Sequence, residues 1–171
     1  MMQDNINHKD GTLEIEKAVK YFFYAAIINT AAAVAFTAPM LLPMFEFPIL
    51  LTEWPGIWIF VAYSSFIMGG VLGILGWSTG YYLLGNFFNK TSTSKNLVMA
   101  QLALLEIGAY SLTIFMYWGG YVGAHGAHEG MAIFVIGQIM EFSVVPAGLG
   151  VAFILLGTMI GLLNVLLTLR R

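Results

Sequence analysis

The feature that most constrains this chain is a series of long apolar stretches, each bounded by cations or by a segment rich in proline or glycine. Charged residues make up 9% of the sequence and hydrophobic residues 59%. A soluble domain carries about 25% charged residues, and a bilayer core about 30 Å thick is crossed by roughly 20 consecutive apolar residues. The pattern therefore predicts an all-α integral membrane protein whose helices contact the lipid bilayer.

Four of these stretches are long enough to cross the bilayer as helices. They lie at about 21–42, 57–88, 96–121 and 145–169. Residues 1–20 are predicted to form a polar N-terminal tail that is helical from about Thr12, and residues 21–171 a four-helix membrane domain. Residues 131–144 are also apolar and run directly into the fourth span, so residues 131–169 together exceed the length that one span needs. They are expected to project outward, to lie in the interface or to bend away at Pro146.

The cations predict the orientation of these spans. With four spans, all seven Lys and Arg residues fall on one side of the membrane: Lys9, Lys17, Lys20, Lys90, Lys95, Arg170 and Arg171. The basic side of a membrane protein faces the cytoplasm. The sequence thus predicts a protein of the cytoplasmic (inner) membrane with both termini in the cytoplasm.

Glycines recur on one face of the second and the fourth span. The spacing is helical in both sets, which are Gly69, Gly73, Gly76 and Gly80, and Gly150, Gly157 and Gly161. Small residues let helices approach closely in lipid, so both stripes are expected to pack helices within a tight bundle or to dock another membrane subunit. Nucleic acid is not an expected partner, because the net charge is −2 and no basic patch exists.

An ionisable residue, Glu106, lies in the middle of the third span. Asn29 of the first span lies at a similar depth, about 14 Å from the basic side, so a hydrogen bond between them is predicted. Glu106 is expected to be neutral, since no Lys or Arg shares that depth. Tyr110, Thr113 and Tyr117 follow on the same helix face. The polar face is either a path for protons or polar solutes, or a structural contact that fixes helix register.

A second polar cluster follows the third span. Residues 119–130, GGYVGAHGAHEG, are predicted to leave the helix as an outer loop that holds His125, His128 and Glu129. Imidazole and carboxylate ligands suit copper, zinc or iron, with Glu141 as a fourth ligand if the chain folds back. The alternative is a polar loop that touches a partner or lipid headgroups. A haem held by two histidines across the membrane is not expected, because the third histidine, His8, is predicted on the opposite side.

These features favour an accessory, non-catalytic subunit of a larger membrane-bound redox complex, of the respiratory oxidase or membrane monooxygenase type. Small size, glycine-striped helices and the lack of a complete set of catalytic residues support this hypothesis. One alternative is a small oligomeric transporter or channel that uses the mid-membrane glutamate. Another is a membrane metalloprotein that uses the outer histidine cluster.

Overall fold

The computed structural model describes residues 12–42 and 54–170. The first part of the predicted tail, with His8 and Lys9, and the terminal Arg171 lie outside these residues. The described chain is an all-helical membrane protein with four helices long and apolar enough to cross a bilayer. These are α1 (Ile15–Leu41), α2 (Ile57–Asn86), α3 (Lys95–His128) and α4 (Ile133–Arg170). Two short strands, β1 (Thr12–Glu14) and β2 (Ser92–Ser94), accompany them.

Helix α1 buries one narrow stripe and exposes the rest of its apolar surface. The buried residues recur every three or four positions: Ile15, Ala18, Phe22, Ala26, Asn29 and Ala33. This is the period of one face of a helix, while the remaining apolar side chains are free to contact lipid. Because α1 begins at Ile15, residues 15–20 of the predicted tail belong to the helix.

The prediction that Thr12 begins a helix is wrong, because β1 is extended and pairs antiparallel with β2. Thr12 pairs with Ser94 and Glu14 with Ser92, which ties the start of α1 to the connection between α2 and α3. The end of α4 joins the same region, where the hydroxyls of Thr93 and Thr168 lie 2.9 Å apart. All five described cations, which are Lys17, Lys20, Lys90, Lys95 and Arg170, therefore lie at one end of the bundle, called here the basic end.

The helices pack as neighbours along the chain. Helix α3 lies against α4 along its length, α1 packs on α2, and the first part of α2 also packs on α3. Residues Phe66–Gly73 of α2 form a π-helical segment. Such wide turns in a helix change the local hydrogen-bonding pattern and often occur at functional sites.

The prediction that residues 119–130 form a loop is wrong, because α3 continues to His128. With 34 residues in α3 and 38 in α4, the two helices are about 51 and 57 Å long, well beyond a bilayer core of about 30 Å. Residues 133–144 continue α4 without a break and pack on the extension of α3. The chain reverses between them through Gly130, whose φ of 77° favours glycine.

Candidate functional site

The predicted hydrogen bond between α1 and α3 is present. Asn29 is buried, and its Nδ2 donates to Glu106 Oε1 at 3.0 Å. The two side chains meet because both helices start at the basic end and carry these residues at similar distances from it. The Glu106 side chain itself is only half-buried.

Asn29 connects three helices. Its Nδ2 also donates to the backbone carbonyl of Gly70, at 2.7 Å, within the π-helical segment of α2. Its Oδ1 accepts a hydrogen bond from the Tyr110 hydroxyl at 2.9 Å. Because a backbone carbonyl can only accept, the contact with Gly70 fixes which end of the amide is the donor. The donor end therefore also faces Glu106.

Aromatic rings pack beside this polar group on the side away from the basic end. The Phe66 ring lies edge-on to Tyr110, with centroids 5.1 Å apart, and to Phe36, with centroids 5.2 Å apart. Further along α3, Tyr117 donates to the backbone carbonyl of Phe36 at 3.2 Å. The Thr113 hydroxyl is buried, and no hydrogen-bond partner for it lies within the described chain. The predicted polar face is thus one connected group, Asn29, Glu106 and Tyr110, with Thr113 and Tyr117 beyond it.

A second buried polar group lies near the basic end, and sequence reasoning missed it. The Tyr81 hydroxyl donates to Gln101 Oε1 at 2.7 Å and accepts from Asn164 Nδ2 at 2.9 Å. Asn164 Oδ1 in turn accepts from the Thr93 hydroxyl at 3.0 Å. These bonds join α2, α3, β2 and α4. Equal distance from the flanking cations could have revealed the group, since Gln101 follows Lys95 and Asn164 precedes Arg170 by the same number of residues.

The outer histidine cluster lies on the exposed end of α3 rather than in a loop. His125 Nε2 lies 3.2 Å from Glu129 Oε1, and the Tyr121 ring stacks on the imidazole with centroids 6.3 Å apart. In residues 12–42 and 54–170, no three His, Asp or Glu side chains form a group that could hold a metal ion. The structure thus brings together two of the three predicted ligands, His125 and Glu129. It does not gather His128 or Glu141 with them.

The three glycines of the predicted stripe on α4 lie against α3. A Cβ atom at Gly150 would lie 2.6 Å from the backbone nitrogen of Leu112, and one at Gly157 would lie 3.0 Å from the Leu105 side chain. A Cβ at Gly161 would meet the Gln101 side chain. Helix α3 contributes glycines that the sequence stripes did not include, and these are Gly108, Gly119, Gly120, Gly123 and Gly126.

The glycines of α2 have a different environment. A Cβ atom added at Gly69, Gly76 or Gly80 would meet nothing within 4 Å in the described chain. At Gly73 it would meet only the backbone oxygen of Met68 in the same helix, at 3.3 Å. This face of α2, defined by Gly69, Gly73, Gly76 and Gly80 and called here the open glycine face, is not covered by the described parts of α1, α3 or α4.

Comparison with protein-family models, with curated proteins and with solved structures gives no match. The fold and the buried groups define the class as a four-helix integral membrane protein.

Proposed function

We propose that this chain is an accessory, non-catalytic transmembrane subunit of a larger membrane-bound redox complex, which it joins through the open glycine face of α2. The uncovered glycines are the observation that supports docking. Glycine is unfavourable in a helix interior by about 1 kcal/mol relative to alanine in water, and in lipid it allows close contact between helices. Gly108 on α3, and Gly150 and Gly157 on α4, serve such contacts within the chain.

The shape of the open glycine face also suits a helix of another subunit. Large apolar side chains, including Met68 and Leu72, flank the glycines and are exposed. They form the walls of a shallow groove whose floor is the bare backbone. A transmembrane helix in that groove gains van der Waals contact that lipid chains match less well.

Purification of the tagged full chain from its native membranes in mild detergent tests this function. We expect it to migrate on a native gel with larger subunits that mass spectrometry identifies. A redox complex predicts haem or copper signals in the absorption spectrum of that band. A chain that migrates alone would contradict the subunit assignment. A homo-oligomer without other subunits would instead favour the transporter or channel alternative.

Gly76→Leu is expected to weaken association with the larger complex about tenfold or more. The added side chain would hold the partner helix away, and overpacking of this kind typically costs about 1–3 kcal/mol. Because nothing in the described chain lies within 4 Å of the added Cβ, the isolated chain should keep its thermal stability. The measurement is the fraction of the chain that co-purifies with partner subunits.

Gly148→Leu is the matched control for this change. Gly148 of α4 is also exposed and has nothing within 4 Å of an added Cβ in the described chain, but it lies outside the open glycine face. Its co-purification should equal that of the wild type. Equal loss in the two variants, or no loss in either, would exclude α2 as the docking surface.

The basic end is proposed to face the cytoplasm, in accordance with the positive-inside rule. Ser92 is exposed in β2, just before α3, and His128 is exposed at the far end of α3. Cysteines placed at these two positions should then label from opposite sides of sealed vesicles. The native sequence has no cysteine, so the background is zero. In right-side-out vesicles, a membrane-impermeant maleimide should reach position 128 only. Labelling of position 92 alone would show that the orientation is the opposite one.

A further inference from the structure

Docking through α2 gives no role to Glu106, which is ionisable and lies in the middle part of the bundle, far from both ends of α3. It lies roughly 16 Å along α3 from Lys95, within a bilayer core of about 30 Å. Its side chain is half-buried, and the adjacent Ile107 is exposed, so this part of α3 is open on the lateral surface of the bundle. Ionisable groups at such depth are rare, and those that occur mark functional sites by default.

The two carboxyl oxygens of Glu106 have different environments. Oε1 accepts the hydrogen bond from Asn29 Nδ2, and no hydrogen bond within the described chain reaches Oε2. Asn29 is held in turn by the Gly70 carbonyl and the Tyr110 hydroxyl, so it offers only a donor to the carboxyl. Oε2 is therefore the oxygen that can take up a proton and release it.

The described parts of the neighbouring helices place no charged side chain against Glu106 that would fix its ionisation state. Helix α1 contributes the Asn29 amide, which bonds to Glu106, and α2 contributes the Gly70 carbonyl and the Phe66 ring, which contact Asn29 and Tyr110. Helix α4 packs with Ile154 beside Gly108. Among the hydrogen-bonded residues of this group in the described chain, Tyr110 is titratable besides Glu106, and its hydroxyl donates to Asn29. No cation among residues 12–42 and 54–170 is in contact to hold the carboxyl as an ion pair, so its neutral form is favoured, while the hydrogen bond from Asn29 also supports the charged form.

We propose that Glu106 is a proton-binding site that is reached from the membrane interior, with Asn29 holding one carboxyl oxygen and the other carrying the exchangeable proton. The site is linked to α2, because Asn29 divides its donors between Glu106 and the Gly70 carbonyl. Loss of the proton strengthens the bond from Asn29 to Glu106. The contact of α1 with the π-helical segment of α2 therefore responds to proton binding.

Dicyclohexylcarbodiimide, which partitions into lipid, tests the site in the full chain reconstituted in vesicles. A protonated carboxyl adds across one C=N bond of the reagent, and the acyl group then migrates to nitrogen to give a stable N-acylurea from which no atom is lost. We expect one adduct, mapped by mass spectrometry to Glu106. Its yield should fall on the order of tenfold over the pH range in which the protonated form is depleted, because only that form reacts.

Glu106→Gln should remove the adduct, whereas Glu141→Gln, at an exposed carboxyl, should retain it.

Infrared spectra of the wild type provide a second readout that needs no variant. The carbonyl band of a protonated carboxyl should disappear over the same pH range. A band or adduct that does not change with pH would mean a permanently neutral structural group and overturn the proposal. Absence of any adduct on Glu106 would overturn access from the membrane.

Discussion

Gly150→Ala is expected to destabilise the bundle by about 3 kcal/mol, at the upper end of the usual range for overpacked cores. The added methyl carbon would lie 2.6 Å from the backbone nitrogen of Leu112 and 2.8 Å from the carbonyl oxygen of Gly108. Flexible side chains can move aside, but these are backbone atoms of the facing helix. The helices α3 and α4 must separate to admit the methyl group. The free energy of unfolding in detergent measures the effect.

Gly148→Ala provides the control in the same helix. An added Cβ at Gly148 meets nothing within 4 Å in the described chain. Alanine is the better helix former, so this variant should be as stable as the wild type or slightly more stable. If Gly150→Ala unfolds at the same denaturant concentration as Gly148→Ala, α3 and α4 do not cross at Gly108 and Gly150.

The number of helices could be predicted from the sequence because it depends on local quantities. Apolar length and flanking cations define each of the four helices. The bond between Asn29 and Glu106 could be predicted for a similar reason. Both side chains lie at a depth that is counted directly from the basic end, and a carboxyl at membrane depth needs a polar partner.

The extension of α3 could not be predicted in this way, because glycine is among the weakest helix formers. Residues 119–128 are helical because packing outweighs this preference. Gly119 lies against Ser143 and Gly123 against Met140, so the glycines that suggested a loop provide the close contact with α4. The sequence pattern of residues 119–128 does not indicate the contact with α4, because that contact forms only where residues 133–144 of α4 lie alongside α3.

Contacts between residues far apart in the sequence are the other feature of the fold that local patterns do not predict. The strand Thr12–Glu14 has three residues, too few for its alternation to be recognised in the sequence, and it is extended because Ser92–Ser94 lies beside it. The same holds for the polar group around Tyr81. Gln101 and Asn164 have a local signal, their equal distance from the flanking cations, but nothing in the sequence near Tyr81 or Thr93 marks them as partners, and only the arrangement of α2, α3, α4 and β2 brings the four together.

Asn164→Leu is expected to destabilise the chain by about 2 kcal/mol. Leucine fills a similar volume but removes the donor to the Tyr81 hydroxyl and the acceptor for the Thr93 hydroxyl, both of which are buried. Two hydrogen bonds are lost, while Tyr81 still donates to Gln101 and Thr93 keeps its contact with Thr168. Hydrogen bonds between membrane helices contribute about 0.6 kcal/mol on average and about 1.7 kcal/mol at most. Because the group joins three helices and β2, its loss should lower the unfolding temperature of the whole bundle.

Asn86→Leu is the matched control, since Asn86 lies at the end of α2 and its Nδ2 donates to the Tyr82 carbonyl of its own helix. Its effect should stay within about 0.5 kcal/mol. Combining Asn164→Leu with Tyr81→Phe separates the hydrogen bond from the packing, because residues in one network are not additive. The double variant should lose less stability than the sum of the two single variants. Strict additivity would mean that Tyr81 and Asn164 stabilise the bundle independently, and the hydrogen bond between them would then make no measurable contribution to stability.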